Sequence, residues 1–298
     1  PTPTPQPLCG NREVMYILGV GADSRADNYL YGLADVIRVA RVDFVTPGIT
    51  VLSIPRDLWV EIPDISDHYG FTHGKLNQSY LYGGPGMGYY DGPGGGAGLL
   101  ARTLAKNFDL RVDRYAAVNM STFVRIVDAL GGIDITLEED VDGRPIDDTT
   151  EDMGYFSAGN HHLSGEAALR LSRVRKKYSV FKRSDNQTLV LCAIREKLLS
   201  ADVLPKIPKL VSAFQGALQT DLSLAEISQL LCLLPQVSKA NLRFVSFPQE
   251  MFTPSRAYDP VYKINTFVWE VDFQALRQMA ADFNGGNWRV QSTQPGCP

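Results

Sequence analysis

The sequence predicts an α/β fold, a central mixed β-sheet flanked by helices, in one domain over residues 12–286. Three observations predict it. Short apolar, β-branched runs such as Val14–Val20, Ala34–Phe44 and Ile49–Ile54 end at glycine or proline turns, as strands do. Longer segments keep apolar residues at helical spacing, as in Leu189, Val190, Ala193, Ile194 and Leu198. The order strand, helix, strand over residues 114–137 reads as a βαβ crossover. The chain shows no internal repeat and no clear domain break.

Val14–Val20 is a buried strand, followed by the polar turn Gly21–Asn28. Ala34–Phe44 and Ile49–Ile54 flank Thr46-Pro47-Gly48 and form a hairpin. Pro55 ends its second strand and leaves Arg56 and Asp57 at the exit. An antiparallel hairpin sets the start of one strand beside the end of the other, so Asp35 and Arg56 are neighbours. The first strand presents Asp23 at the same edge if it pairs alongside. Ligands of open α/β sheets sit at such strand ends.

Lys75–Tyr82 reads as a short helix. Gly83–Gly98 then holds nine glycines in sixteen residues. No Gly-Lys-Ser/Thr follows it and no strand precedes it, so it is no P-loop, and it reads as a flexible surface lid or insertion. Ala97–Phe108 is a helix, Arg114–Asn119 a strand, Thr122–Leu130 a helix capped by Ser121, and Ile133–Leu137 a strand. Glu138–Asp152 is acidic but lacks calcium-loop spacing and reads as a solvated loop.

Ser164 caps a helix running to about Arg173, and Arg183–Ser200 is a long helix. Between and around their ends, Ser172–Arg183 gathers six cations in twelve residues. Arginine forks suit phosphate, and Arg183 at a helix start opposes the dipole unless an anion is bound. Further on, Val203–Ala217 is a helix, Ser223-Leu224-Ala225-Glu226 a capping box opening Leu224–Leu234, Asn241–Phe247 and Val261–Ile264 strands, and Val271–Phe283 a last helix.

Composition narrows the classes. The 298 residues carry 29 basic and 33 acidic side chains, and a net charge of -4 argues against nucleic acid as a partner. No apolar run reaches the ~18 residues of a membrane span. Residues 1–11 open with a Pro/Thr rhythm and read as a linker, so the numbering is expected to begin after a removed or preceding segment such as a signal peptide or anchor. Residues 287–298 read as a tail.

Four cysteines form no CxxC pair, which argues against zinc. Cys9 and Cys297 lie near the two ends, and a staple between them is the expectation. Cys192 and Cys232 read equally as buried thiols or as a second disulfide. The even count leans toward an oxidising compartment.

For chemistry, there is no GxSxG, and His68, His73, His161 and His162 lack a metal-ligating spacing. A glycosidase carboxylate pair leaves the arginines unexplained. Phosphoryl transfer uses them: Asp23 and Asp35 can hold Mg²⁺, and Arg25, Arg56, Arg173, Arg175 and Arg183 can neutralise a diphosphate as it breaks.

An ordered series of motifs also resembles the LytR-CpsA-Psr (LCP) family of cell-wall phosphotransferases over most of residues 14–200. The series runs Gly21-Ala22-Asp23-Ser24-Arg25, Leu33-Ala34-Asp35-Val36-Ile37, Ser53-Ile54-Pro55-Arg56-Asp57, Lys75-Leu76-Asn77 and Tyr82-Gly83-Gly84. It continues with Val127–Gly132, Leu163–Leu169, Arg173-Val174-Arg175, and Arg183 with Gln187. The resemblance implies an extracytoplasmic enzyme, tethered to the membrane by an N-terminal anchor. It would move a phosphoglycosyl unit from a polyprenyl diphosphate carrier to peptidoglycan, with Mg²⁺ as metal and an apolar tunnel for the lipid. It makes Asp23 and Asp35 metal ligands, Arg56, Arg173, Arg175 and Arg183 catalytic diphosphate contacts, and Arg25 and Gln187 further substrate contacts. A binding module without turnover and a polyprenyl-diphosphate pyrophosphatase are the alternatives. The chain departs from the pattern at Leu33, Val180 and Asn186, where Arg, Asp and Arg are expected, and at Arg38, where an apolar residue is.

Overall fold

In the computed structural model the three predicted N-terminal strands form adjacent members of one sheet. The residues described are 6–24, 29–148, 150–174, 180–207, 210, 214, 216–289 and 297. They divide into two compact units: 1–119 with 219–292, and 120–218 with 293–298.

The first unit begins with β1 (Val14–Ala22), β2 (Ala34–Asp43) and β3 (Gly48–Ser53). These strands are covered on both faces: Met15 and Leu18 of β1, and Val39 and Val42 of β2, stand on opposite faces and are all buried, as is Leu52 of β3. β1 pairs antiparallel with β2, and β2 with β3. The register slips between Gly21 and Ala22, a bulge at the end where Asp23 leaves the sheet. Next come β4 (Trp59–Glu61), the turn α1 (Ser66–Tyr69), β5 (His73–Lys75), α2 (Leu76–Gly83), α3 (Gly95–Phe108) and β6 (Arg114–Asn119). β6 lies parallel to the other side of β1.

All eight residues of α2 are buried. The glycine-rich stretch, expected as a lid, does something else at both ends. Gly83 closes α2, and Gly95–Gly98 open α3. A Cβ on Gly83 would lie 2.7 Å from Gly95 O and 2.8 Å from Gly96 Cα, and one on Gly96 would collide with Tyr80 O. The glycines let two helix backbones touch.

The second unit holds α4 (Met120–Ala129), β7 (Ile133–Leu137), β8 (Val141–Asp142), β9 (Tyr155–Phe156), β10 (Gly159–Leu163), α5 (Gly165–Arg173) and α6 (Val180–Leu199). Ser121 lies inside α4 rather than capping it. The expected βαβ crossover is absent: β7 pairs antiparallel with β10, while β6 stays in the six-stranded sheet of the first unit. A core of Val127, Ile133, Leu163, Leu171 and Val190, with others, closes this unit.

The chain re-enters the first unit as β11 (Gln219–Thr220), α7 (Leu224–Leu233), β12 (Leu242–Ser246), β13 (Thr253–Asp259), β14 (Ile264–Glu270) and α8 (Phe273–Asn284). The finished sheet has the order β11-β6-β1-β2-β3-β12, with parallel and antiparallel pairs, hence mixed. The strand expected at Val261–Ile264 is instead the turn of the β13–β14 hairpin and the first residue of β14.

The cysteine expectation is corrected. Cys9 is joined to Cys232 and Cys192 to Cys297, and no described cysteine is free. Chain ends near each other on average do not select a partner. Here the N-terminal segment runs beside the sheet, where Leu8 N–H donates to Phe44 O at 2.9 Å, and its cysteine meets α7.

Candidate functional site

The site of the first unit is built from three strand ends and one helix start. Asp23 follows the bulged end of β1, and its N–H donates to Leu33 O at 2.8 Å. That bond seats Asp23 beside the entry to β2, where Asp35 stands. Ile54 N–H donates to Ile37 O at 3.0 Å, which holds the exit of β3 against β2 and aims Arg56 back at Asp35.

Arg56 Nη1 donates to Asp35 Oδ1 in a direct ion pair. Its Nε lies 3.2 Å from Asp57 Oδ2, within ion-pair range but without hydrogen-bond alignment. Lys75 Nζ, at the entry to α2, donates to the other oxygen of Asp57 at 3.1 Å. The side chains of Arg56, Asp57 and Lys75 are 18%, 12% and 17% exposed, so the pairs are sheltered yet reachable. Burial opposes the charge on Arg56, but Asp35, Asp57 and Asp23 outweigh it and hold the guanidinium above its ordinary pKa. Arg56 is therefore a permanent cation.

Two cations thus face three carboxylates among the described residues of this cluster. Mg²⁺ binds through one or two carboxylates, completed by waters and phosphate oxygens. Asp23 and Asp35, on adjoining strand ends, offer that oxygen donor set. No group of three acidic, histidine or cysteine side chains is gathered for a metal among the described residues. A two-carboxylate site completed by phosphate is what this donor set fits.

Arg25 and Arg175 lie outside the described residues. Arg173, Arg183 and Gln187 belong to the second unit. Ser164 caps α5 by accepting from Ala167 N–H at 3.4 Å, and the helix delivers Arg173 at its last turn. There the guanidinium forks onto Glu151, with Nη2 2.8 Å from Oε2 and Nη1 3.3 Å from Oε1. Gln187 Nε2 donates to Ser172 O at 3.3 Å and ties α6 to the end of α5. Arg183 is only 9% exposed, in the first turn of α6. Asn186, where an arginine was expected, is 1% exposed, and its Nδ2 has no hydrogen-bond partner among the described residues. Within this unit the acidic loop pairs one predicted phosphate arginine with its own carboxylate.

Asp23, Asp35 and Arg56 stand together as the sequence predicts, whereas Lys75 and Asp57, to which it gives no site role, join them here. The signal for both was present in Arg56-Asp57 and Lys75-Leu76-Asn77. Glu151 carried none beyond membership of an acidic loop.

Known proteins supply an independent comparison. The chain is 30% identical over 213 residues to the polyisoprenyl-teichoic acid–peptidoglycan teichoic acid transferase TagU of Bacillus cereus, covering 71% of this chain and 61% of that protein. It is 28% identical to the transferase TagV of Bacillus subtilis, covering 70% of this chain and 50% of the relative. It therefore spans half to three-fifths of the length of these relatives. The crystal structure of B. subtilis TagV superposes with a TM-score of 0.69 at 24% identity, over 95% of this chain and all of that one, which shows a shared fold. The model of the LytR_cpsA_psr family matches residues 5–284, and the chain belongs to that family.

Proposed function

We propose that this protein transfers the phosphoglycosyl end of a glycopolymer from a polyprenyl diphosphate carrier to a hydroxyl of peptidoglycan. The observation that carries the reading is the sheltered cluster of Arg56, Asp35, Asp57 and Lys75, with Asp23 alongside, at one sheet edge. The names of the teichoic acid transferases it resembles support the same chemistry.

In the proposed reaction an acceptor hydroxyl oxygen attacks the sugar-side phosphorus. The bond from that phosphorus to the bridging oxygen breaks, polyprenyl phosphate leaves, and the hydroxyl proton passes to solvent or a base. Arg56 supplies a permanent positive charge to the oxygens on which negative charge grows. Lys75 and Asp57 hold it in place. Asp23 and Asp35 are the proposed Mg²⁺ ligands, and the ion when bound would withdraw charge from the diphosphate. Arg173, Arg175 and Arg183 are proposed as further phosphate contacts, with Arg25 and Gln187 as substrate contacts. The lipid is proposed to lie against apolar core surface.

An extracytoplasmic location follows from this reading and accords with two disulfides. No helix among the described residues is long and apolar enough to cross a membrane, so tethering would fall to a segment outside them.

The test is product analysis. Incubation with Mg²⁺, a polyprenyl diphosphate-linked sugar and a peptidoglycan fragment should give polyprenyl monophosphate and a phosphodiester-linked conjugate by mass spectrometry. Sugar phosphate without conjugate would mark a hydrolase, and unchanged substrate would overturn catalysis.

A further inference from the structure

Of the twelve large apolar or aromatic side chains most open to solvent among the described residues, four lie at the end of the β13–β14 hairpin. Tyr258, Tyr262, Ile264 and Phe267 are each at least 40% exposed. The register spreads them around that end. Tyr258 pairs with Asn265 and Arg256 with Phe267, which sets Tyr258 and Phe267 on one face. Ile264, opposite Asp259, stands on the other face, and Tyr262 lies in the turn between the strands. A platform for one sugar ring or one helix would present a single face. Apolar groups on both faces and in the turn suit a medium that surrounds the tip.

The charges open to solvent at this end are of one sign. Asp259 is buried: its Oδ1 accepts from the N–H groups of Val261 and Tyr262 at 2.9 and 3.0 Å, and Gln78 Nε2 donates to its Oδ2. Glu270 sits at the base of the hairpin and accepts from Ser255 Oγ at 2.8 Å. Arg256 and Lys263 are exposed, and neither meets a carboxylate among the described residues; Arg256 Nη1 donates to the Asn265 carbonyl at 3.2 Å. Lys263 has a φ of 56°, in the left-handed region that favours glycine or asparagine, so a long cation stands at the tip against its backbone preference. In a chain of net charge -4 this end is locally cationic. Tyrosine rings settle at a membrane–water interface, apolar side chains reach below it, and lysine and arginine are drawn to anionic lipid.

The hairpin is also stitched to the Arg56 cluster. Trp269 N–H donates to Asp57 O at 2.9 Å, Leu58 bridges to Trp269, and Gln78, which holds Asp259, accepts from Lys75 N–H at 2.6 Å. Five residues separate Trp269 from Ile264, roughly 17 Å of strand, so a seated tip would hold the Asp57 backbone about one strand length from the lipid surface.

We propose that the end of the β13–β14 hairpin docks onto an anionic lipid surface, with Tyr258, Tyr262, Ile264 and Phe267 entering the headgroup layer and Arg256 and Lys263 holding the lipid charge. The role goes beyond the transferase reading and is separate from any N-terminal tether.

The test is flotation of the chain with vesicles of phosphatidylcholine alone, or of phosphatidylcholine with phosphatidylglycerol. Wild type is compared with Arg256→Gln plus Lys263→Asn, and with Tyr262→Ser plus Ile264→Ser. Asparagine suits the left-handed turn and all four side chains are exposed, so both variants should keep the wild-type melting curve. Wild type is expected to float with the anionic vesicles and less with the neutral ones. The charge variant should bind the anionic vesicles about 25-fold more weakly, about fivefold per cation. The apolar variant should bind both kinds about tenfold more weakly or worse. Wild type that floats with neither kind, or variants that float as well as wild type, would overturn the proposal. Retention of wild type by soluble glycan strands but not by vesicles, lost in the apolar variant, would make the tip a glycan surface and overturn it too. Product analysis with a farnesyl-linked substrate in solution reads the transferase activity separately, so each reading can fail alone.

Discussion

Replacing Arg56 by lysine separates charge from geometry at the proposed reaction centre. Arginine meets Asp35 through Nη1 and Asp57 through Nε, two nitrogens on one rigid fork. Lysine has a single nitrogen and cannot serve both carboxylates with that spacing. One charge-assisted contact is lost from a site where the side chain is 18% exposed. The Asp35 hydrogen bond is of the kind that contributes about 1.5–3 kcal/mol and the Asp57 contact, at ion-pair range without that alignment, contributes less, so the net loss is about 1–2 kcal/mol. For a protein of this size that corresponds to a fall of roughly 2–8 °C in Tm. Loss of a placed donor to developing charge lowers kcat by about 10²–10³. The assay is the initial rate of polyprenyl phosphate release with Mg²⁺, beside a melting curve. A lysine variant within threefold of wild type, with an unchanged Tm, would refute the reasoning, because the fork would then do nothing that a point charge cannot.

Three further outcomes follow from the structure. Glu226 is held down to about 2 by its hydrogen bond to Arg114, with Nη2 2.9 Å from Oε1, and by the Ser223 cap. A depressed carboxylate stabilises above its unfolded pKa and loses that as pH falls toward the folded value. Glu226→Gln should therefore cost about 1–2 kcal/mol at pH 7, with the difference closing between pH ~4.5 and ~2 in denaturant titrations. Gly96→Ala should lower stability by about 1–3 kcal/mol, read as a shift in denaturation midpoint, because its Cβ would meet the Tyr80 carbonyl. Non-reducing peptide mapping should return Cys9–Cys232 and Cys192–Cys297 peptides, and reduction should cost about 2–5 kcal/mol of stability per bridge. A Cys9–Cys297 peptide would contradict the pairing.

The edge that carries Asp23, Asp35 and Arg56 was legible because each step to it is local. Apolar β-branched runs set the strands, Thr46-Pro47-Gly48 sets the hairpin, and antiparallel pairing sets which ends meet. What escaped reading depends on distant partners. Arg173 and Glu151 are joined across an irregular loop that no periodicity describes. Cysteine spacing cannot choose among three pairings of four residues. The β13 strand, Thr-Pro-Ser-Arg-Ala-Tyr-Asp, turns Ser255, Ala257 and Asp259 to its more covered face, residues too small or polar to mark a strand by apolar alternation. The glycines at 83–98 looked like freedom, and several of them mark close packing, a distinction that depends on the facing backbone.

Phosphoryl transfer at the sugar-side phosphorus is proposed to depend on the Arg56 cluster. Its most direct measurement uses a polyprenyl diphosphate-linked sugar labelled with ³²P at that phosphorus alone. The label is expected to move to peptidoglycan in a Mg²⁺-dependent reaction that Arg56→Ala abolishes. Label remaining on the lipid, or released as soluble phosphate or sugar phosphate, would contradict it.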